Sequence, residues 1–161
     1  MQISSRFSVA LHILMCVDTF QNDYKVTSDF LAGSINTNPV LVRKLLSRLK
    51  GAGLVHIARG TGGVTLARAL EDVTFYDVYC AVEAVEKEGL FHIHEHPNPA
   101  CPVGRNIRAL LVRRLETTQR AMESELRGVR LSDLRDDLHA AWDREQESEA
   151  MPWMKPNRPN G

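Results

Sequence analysis

Residues 36–68 read NTNPVLVRKLLSRLKGAGLVHIARGTGGVTLAR, and the order of patterns inside this run decides the fold. Asn38 suits a helix N-cap, and Pro39 suits the first helical position, where a missing N–H costs nothing. From Pro39 to about Gly51, Leu41, Val42, Leu45, Leu46 and Leu49 fall on one helical stripe. Val40, Arg43, Lys44, Ser47 and Lys50 are left on the opposite side. Beyond Gly51-Ala52-Gly53 the period changes to two: Leu54 to Arg59 and Val64 to Arg68 alternate as strands around Gly60-Thr61-Gly62-Gly63, the pattern of a hairpin.

Working outward, Thr27 or Ser28 can cap a short helix running to about Ile35, with Asp29 in its first turn. Before it, Ser4 to Phe20 is apolar around most of its circumference, which predicts a largely buried helix. Three helices followed by a glycine-rich hairpin is the order of a winged helix-turn-helix. Downstream, Thr74 and Asp77 form a capping box opening a fourth helix to about Glu86. The predicted fold class is therefore mainly α with a small β-hairpin, a winged helix-turn-helix plus a long C-terminal dimerisation helix. Its expected divisions are a head at 1–86, a loop at 87–102, the dimerisation and closing helices at 103–143, and a mobile tail at 144–161. The long helix begins at Pro102. Val103, Ile107, Leu111, Leu115, Met122 and Leu126, with Leu110 alongside, make a narrow apolar seam suited to a second copy of the chain.

The 161 residues carry 20 basic and 20 acidic side chains, with 43% hydrophobic and 25% charged, a mixture that buries a core and excludes disorder. The zero sum conceals a division. Residues 1–70 hold eight basic and three acidic groups, a net +5, whereas residues 71–161 hold 12 and 17, a net −5. No apolar run approaches the roughly 20 residues that span a bilayer, and no signal segment opens the chain, so a cytoplasmic protein without membrane contact is expected. Walker, dinucleotide, GxSxG and HExxH patterns are missing, so catalysis is not expected.

A helix with one apolar and one basic face can lie in a major groove, where Arg and Lys donate to guanine O6 and N7. Double-stranded DNA is the expected partner. Thr37, Asn38, Val40, Arg43, Lys44 and Ser47 are the candidates on the third helix, Arg59 and Thr61 on the wing, and Gln2, Ser4 and Arg6 at the start of the first helix. In a homodimer two such helices would stand about 34 Å apart and would demand a palindromic operator.

The runs RFSVALHIL (6–14), NTNPVLVRKLLSRLKGAGLV (36–55), RGTGGVTLAR (59–68), EDVTFYDVYCAVE (71–83) and NPACPVGRNI (98–107) together resemble the Rrf2 family of winged-helix transcription regulators, most closely its short YwnA-like branch. The resemblance covers about residues 1–140. It implies a homodimeric transcription regulator, usually a repressor, whose third helix and wing hold DNA. Iron-sulfur members of that family carry three Cys in a short loop before the dimer helix. Here that loop offers Cys101 alone, so no iron-sulfur cluster is expected.

The remaining chemistry-bearing residues leave alternatives open. His92, His94 and His96 share one side of an extended segment before Cys101 and are weak metal candidates, as is His12, which matches a helix position from which some cluster-binding relatives take a ligand. His12 otherwise reads as a hydrogen-bonded core or interface residue. Cys16 and Cys80 read as small buried hydrophobes. Cys101, at a helix start that favours a thiolate, is the redox-sensing candidate, against a purely structural role. An iron-sulfur or metal-dependent redox sensor is one alternative to the DNA-binding reading with a simple thiol. A winged helix serving as a protein-interaction module is another.

Overall fold

The computed structural model describes residues 5–59, 63–82 and 90–145. Six helices and one hairpin follow in the order α1 (Ser5–Phe20), α2 (Ser28–Ile35), α3 (Pro39–Gly51), β1 (Val55–Ile57), β2 (Val64–Leu66), α4 (Phe75–Val82), α5 (Pro102–Gly128) and α6 (Leu131–Glu145). A single 3-10 turn at Leu70–Asp72, unmarked in the sequence pattern, joins the hairpin to α4.

Helix α1 is the centre of the head: Ala10, Ile13, Leu14, Met15, Cys16, Val17 and Phe20 are buried in it. Against it pack Leu31 of α2, the Val42, Leu45, Leu46 and Leu49 stripe of α3, and Val78 and Val82 of α4. Thr27, rather than Ser28, caps α2, its hydroxyl accepting from the Phe30 N–H at 3.1 Å. Asn36 closes α2 in the left-handed region at φ 55°, and the Asn38 side chain opens α3 by accepting from the Val40 N–H at 2.8 Å. Gly53, at φ +70°, ends α3 in a conformation that costs a β-carbon residue, letting the Leu54 N–H return to the Leu49 carbonyl.

The strands pair antiparallel with Val55 opposite Leu66 and Ile57 opposite Val64, shorter than the alternation predicts. The hairpin is tied to the head by the Val64 N–H on the Val26 carbonyl and the Leu66 N–H on Gln21 Oε1. Thr74 and Asp77 form the predicted capping box, each side chain accepting from the other's backbone N–H.

Helix α5 is 27 residues long and buries none of them fully. Ile107, Leu111, Leu115, Met122 and Leu126 are half-buried along the predicted seam, whereas Val103 and Leu110 are 66% and 57% exposed. Helix α6 is the expected closing helix and runs two residues past the expected boundary at 143. Its fully buried Leu131 and an antiparallel bridge between Thr74 and Arg130 fasten it to the start of α4. Farther along, Trp142 reaches Phe20 at a ring separation of 6.4 Å, and Phe20 meets Phe30 of α2 at 5.4 Å. No helix among the described residues is long and apolar enough to cross a membrane. Of the tail expected at 144–161, Arg144 and Glu145 instead belong to α6, while residues 146–161 and the expected end of α4 near Glu86 lie outside the described residues.

Candidate nucleic-acid interface

Burying the leucine stripe of α3 turns its other face outward. Val40, Arg43, Lys44, Ser47 and Lys50 are all exposed, and Val40 is 50% exposed although apolar. Between α3, the turn leading into α2 and the hairpin lies an open cleft of about 460 Å³. Lys25, Arg43 and Lys50 converge on it with the hydroxyls of Ser28 and Ser47. Lys25 and Ser28 are absent from the sequence-based candidates because nothing in their local pattern sets them apart. Only the return of the chain past α3 brings them to the same cleft. Arg59 is exposed at the end of β1, where the wing begins. Thr37 is half-buried, and the Asn38 side-chain oxygen is spent on the α3 cap. Arg6 is exposed on the first turn of α1, while Gln2, Ser4 and Thr61 lie outside the described residues.

The charge of the head is not uniformly available. Arg48, on the α3 flank away from the cleft, donates to the Val82 carbonyl near the end of the described α4. Arg68 donates to the Asp72 carbonyl. Both hold backbone groups of the head itself. Lys25, Arg43, Lys44, Lys50 and Arg59 remain as exposed cations around the α3 face and wing. Arg43 reaches back to α2, its Nε donating to Ser28 Oγ at 3.3 Å and its Nη2 lying 3.9 Å from Asp29 Oδ1. Beyond the head, α5 breaks the acidic trend, with six Arg against Glu116, Glu123 and Glu125.

The cysteines divide three ways. Cys16 is buried in α1, and desolvation pushes its thiol pKa up while a 3.3 Å contact with Ser34 Oγ opposes the rise. His12 meets the same Ser34 hydroxyl at 3.1 Å; its ring is exposed by area, yet desolvation by its neighbours still lowers its pKa. Cys80 is exposed, contrary to the buried role its apolar helix suggests. Val78, Tyr79 and Val82 take the core side of α4, which turns Cys80 outward beside Tyr76 one turn away. Cys101 is exposed at the N-cap of α5. Its sulfur closes no cap hydrogen bond of full geometry, but the nearby Gly104 and Val103 N–H groups hold its pKa below the ordinary thiol value. A β-carbon at Gly104 would run into the Asn98 carbonyl, so glycine permits the loop to fold tightly over this end of the helix.

An iron-sulfur cluster needs thiolates or imidazoles converging on one point. The three thiols instead sit on α1, on α4 and at the start of α5, and His92, His94 and His96 are exposed in the segment before α5. Among the described residues no three His, Cys, Asp or Glu side chains gather as a metal-binding group. The donor set does not fit a Cys-ligated cluster.

Comparison with known proteins agrees with this architecture. A family model described as Rrf2, iron-dependent transcriptional regulator, matches residues 3–137. YwnA of Bacillus subtilis strain 168, an HTH-type transcriptional regulator by name, is 42% identical over 136 residues, covering 84% of this chain and 98% of YwnA. A crystal structure named for a DNA-binding protein matches with a TM-score of 0.65 at 36% identity, over 81% of this chain and 98% of that one. Another, named for a transcriptional regulator from Lactobacillus plantarum, matches with a TM-score of 0.72 at 29% identity, over 91% and 100%.

Proposed function

Since the chain belongs to the Rrf2 family of transcriptional regulators, we propose that it binds a palindromic DNA operator as a homodimer and represses transcription there. The observation that carries this reading is the outward face of α3. On a helix otherwise committed to the core, Val40, Arg43, Lys44 and Ser47 stand exposed beside the Lys25 and Lys50 cleft. A helix so presented fits the major groove, its capped N-terminus favours a phosphate, and Arg59 at the wing suits a narrow minor groove. Thr37, Asn38, Arg6, Gln2, Ser4 and Thr61 belong to the same proposed contact surface. The half-buried seam of α5 supports a second copy as its cover, which would set two α3 helices one DNA turn apart. Such a repressor works in the cytoplasm, where its operator lies.

The signal we assign to Cys101. Its lowered pKa and full exposure favour thiolate attack on an oxidant. With hydrogen peroxide the sulfur takes one oxygen, the O–O bond breaks, and the departing hydroxide is protonated to water, leaving a sulfenic acid. Oxidation at the first turn of α5 would alter the helix that sets the spacing of the heads. No resident iron-sulfur cluster enters this reading, which is supported by Cys101 being the one thiol that the loop before α5 offers.

Selection of bound fragments from genomic DNA, followed by anisotropy titration, tests the DNA assignment. Enrichment of an inverted repeat, lost in Arg43→Ala and Arg59→Ala, is expected. No enrichment and no salt-dependent affinity would overturn it. Peroxide or diamide should release DNA from the wild type and from Cys80→Ser but not from Cys101→Ser. Visible absorbance in anaerobically purified protein would overturn the cluster-free reading.

A further inference from the structure

Asp29 sits awkwardly for a surface meant to meet a polyanion. Its side chain is 77% exposed beside the basic cleft, where a carboxylate opposes phosphate. A place in the first turn of α2 accounts for a carboxylate there in part, through the helix dipole. That role needs no contact with α3, yet Asp29 Oδ1 lies 3.9 Å from the Arg43 guanidinium and the preceding Ser28 hydroxyl accepts from Arg43 Nε at 3.3 Å.

We propose that Ser28 and Asp29 are positioning residues that fix the Arg43 guanidinium for a two-point contact with the O6 and N7 of one guanine. This deepens the reading of α3 as a groove-reading helix and rests on it. Arginine presents its donors as a planar fork, and a two-point contact with guanine depends on the orientation of that plane. A free arginine on an exposed helix face would sample many rotamers, each directing the fork differently. Here Ser28 engages Nε, and Asp29 attracts Nη2 from the α2 side. The outer edge of the guanidinium, with Nη1 and the remaining Nη2 hydrogen, is left for a base. Lys44, one residue along and exposed, has no such brace in the described structure and suits a phosphate, which needs a charge more than an orientation. The cost of placing a carboxylate near DNA is accepted in return for base discrimination. Asp29 thus acts on which sequence is bound, and Lys44 on how tightly any sequence is bound.

The full-length protein is tested by selection from a random duplex pool, followed by anisotropy on the selected site and all its single-base variants. The wild type is expected to prefer guanine at one position per half-site by about tenfold or more, and Arg43→Ala to abolish that preference and so identify the position. Asp29→Ala and Ser28→Ala should each reduce the preference there by about threefold or more, with other positions unchanged. Affinity for non-specific DNA should hold or tighten in Asp29→Ala. The double variant Asp29→Ala/Arg43→Ala should match Arg43→Ala alone, because the brace has nothing left to hold. Ser28→Ala keeps the first-turn carboxylate, so a selective loss in that variant cannot come from a weakened α2. Intact guanine preference in both single variants, or a uniform loss at every position, overturns the inference while leaving α3 as the DNA helix. Failure of the wild type to select any sequence removes the DNA reading itself, a distinct result.

Discussion

Replacing Lys44 by Ala and Arg48 by Ala removes the same formal charge from the same helix, yet the structure predicts opposite consequences. Lys44 is exposed on the α3 face, whereas Arg48 holds the Val82 carbonyl. If Lys25, Lys44, Lys50 and Arg59 each neutralise one phosphate, a dimer makes about eight such contacts, and log affinity falls against log salt with a slope of about −7. Lys44→Ala removes two of these contacts and should flatten the slope by about 1.8. Between 50 and 200 mM salt the wild type should then lose about 12-fold more affinity than the variant. Arg48→Ala should leave the slope unchanged. It should instead destabilise the fold by about 1 kcal/mol, since a charged hydrogen bond to a backbone carbonyl is lost from a partly exposed place. Anisotropy titrations on the selected operator at several salt concentrations, paired with thermal melts followed by circular dichroism, measure both quantities. An equal flattening of the slope in the two variants, with no change in melting for Arg48→Ala, would refute this division of the charge.

Val40→Ser should weaken discrimination for thymine at one position per half-site, because the exposed apolar side chain suits a C5-methyl group; competition with uracil-substituted operator checks this, since the difference between the two should vanish in the variant. Leu131→Ala should cost about 2–5 kcal/mol in urea melts, the side chain being fully buried where α6 joins the head. Desolvation lowers the His12 pKa, so the folded state binds fewer protons than the unfolded chain. The associated stability is present above the ordinary value of 6.5 and is lost as pH falls from there through the lowered folded value. Denaturation between pH 7.5 and 5 should show this loss diminished in His12→Gln, as about neutral-range titration of one imidazole requires. Cys101 should alkylate faster than Cys16 at neutral pH, with the two followed by peptide mass spectrometry.

Much of the head was legible because its signals are local. The Asn38 cap, the Pro39 start, the leucine stripe of α3, the glycine hairpin and the Thr74–Asp77 box each lie within a few residues and survive in the structure. What escaped depends on contacts between distant segments. Lys25 joins Lys50 only because the α2 turn folds back past α3, and Arg48 leaves the count of available cations only because α4 brings its Val82 carbonyl into reach. Cys80 was misread because an apolar helix sequence reports hydrophobicity without telling which flank the core will take. The 3-10 turn and the tie between the start of α6 and the head also escaped. The Leu131 N–H bonds to the Val73 carbonyl and the Phe75 N–H to the Val129 carbonyl, a pairing across more than 50 residues that no local pattern encodes.

In the proposed homodimer a second copy would cover α5, which buries no residue fully within one chain. Within one chain Arg127 lies 3.6 Å over the Tyr76 ring of the head, and Gln119 accepts from the Leu90 N–H of the loop before α5. A cation over a partly exposed aromatic face contributes about 0.5–1 kcal/mol, modest beside the cost of ordering a helix that buries no residue fully. In the proposed homodimer, covering Val103, Leu110 and the half-buried seam would add apolar burial to these contacts. Helix α6, which follows α5 in the chain, packs on the head: its Trp142 meets Phe20, which packs on Phe30 of α2. A change carried along α6 would thus reach α2, whose Ser28 and Asp29 contact Arg43. Trp142→Ala should accordingly alter guanine discrimination as well as stability, and an effect confined to the melting temperature would show that the route carries no information.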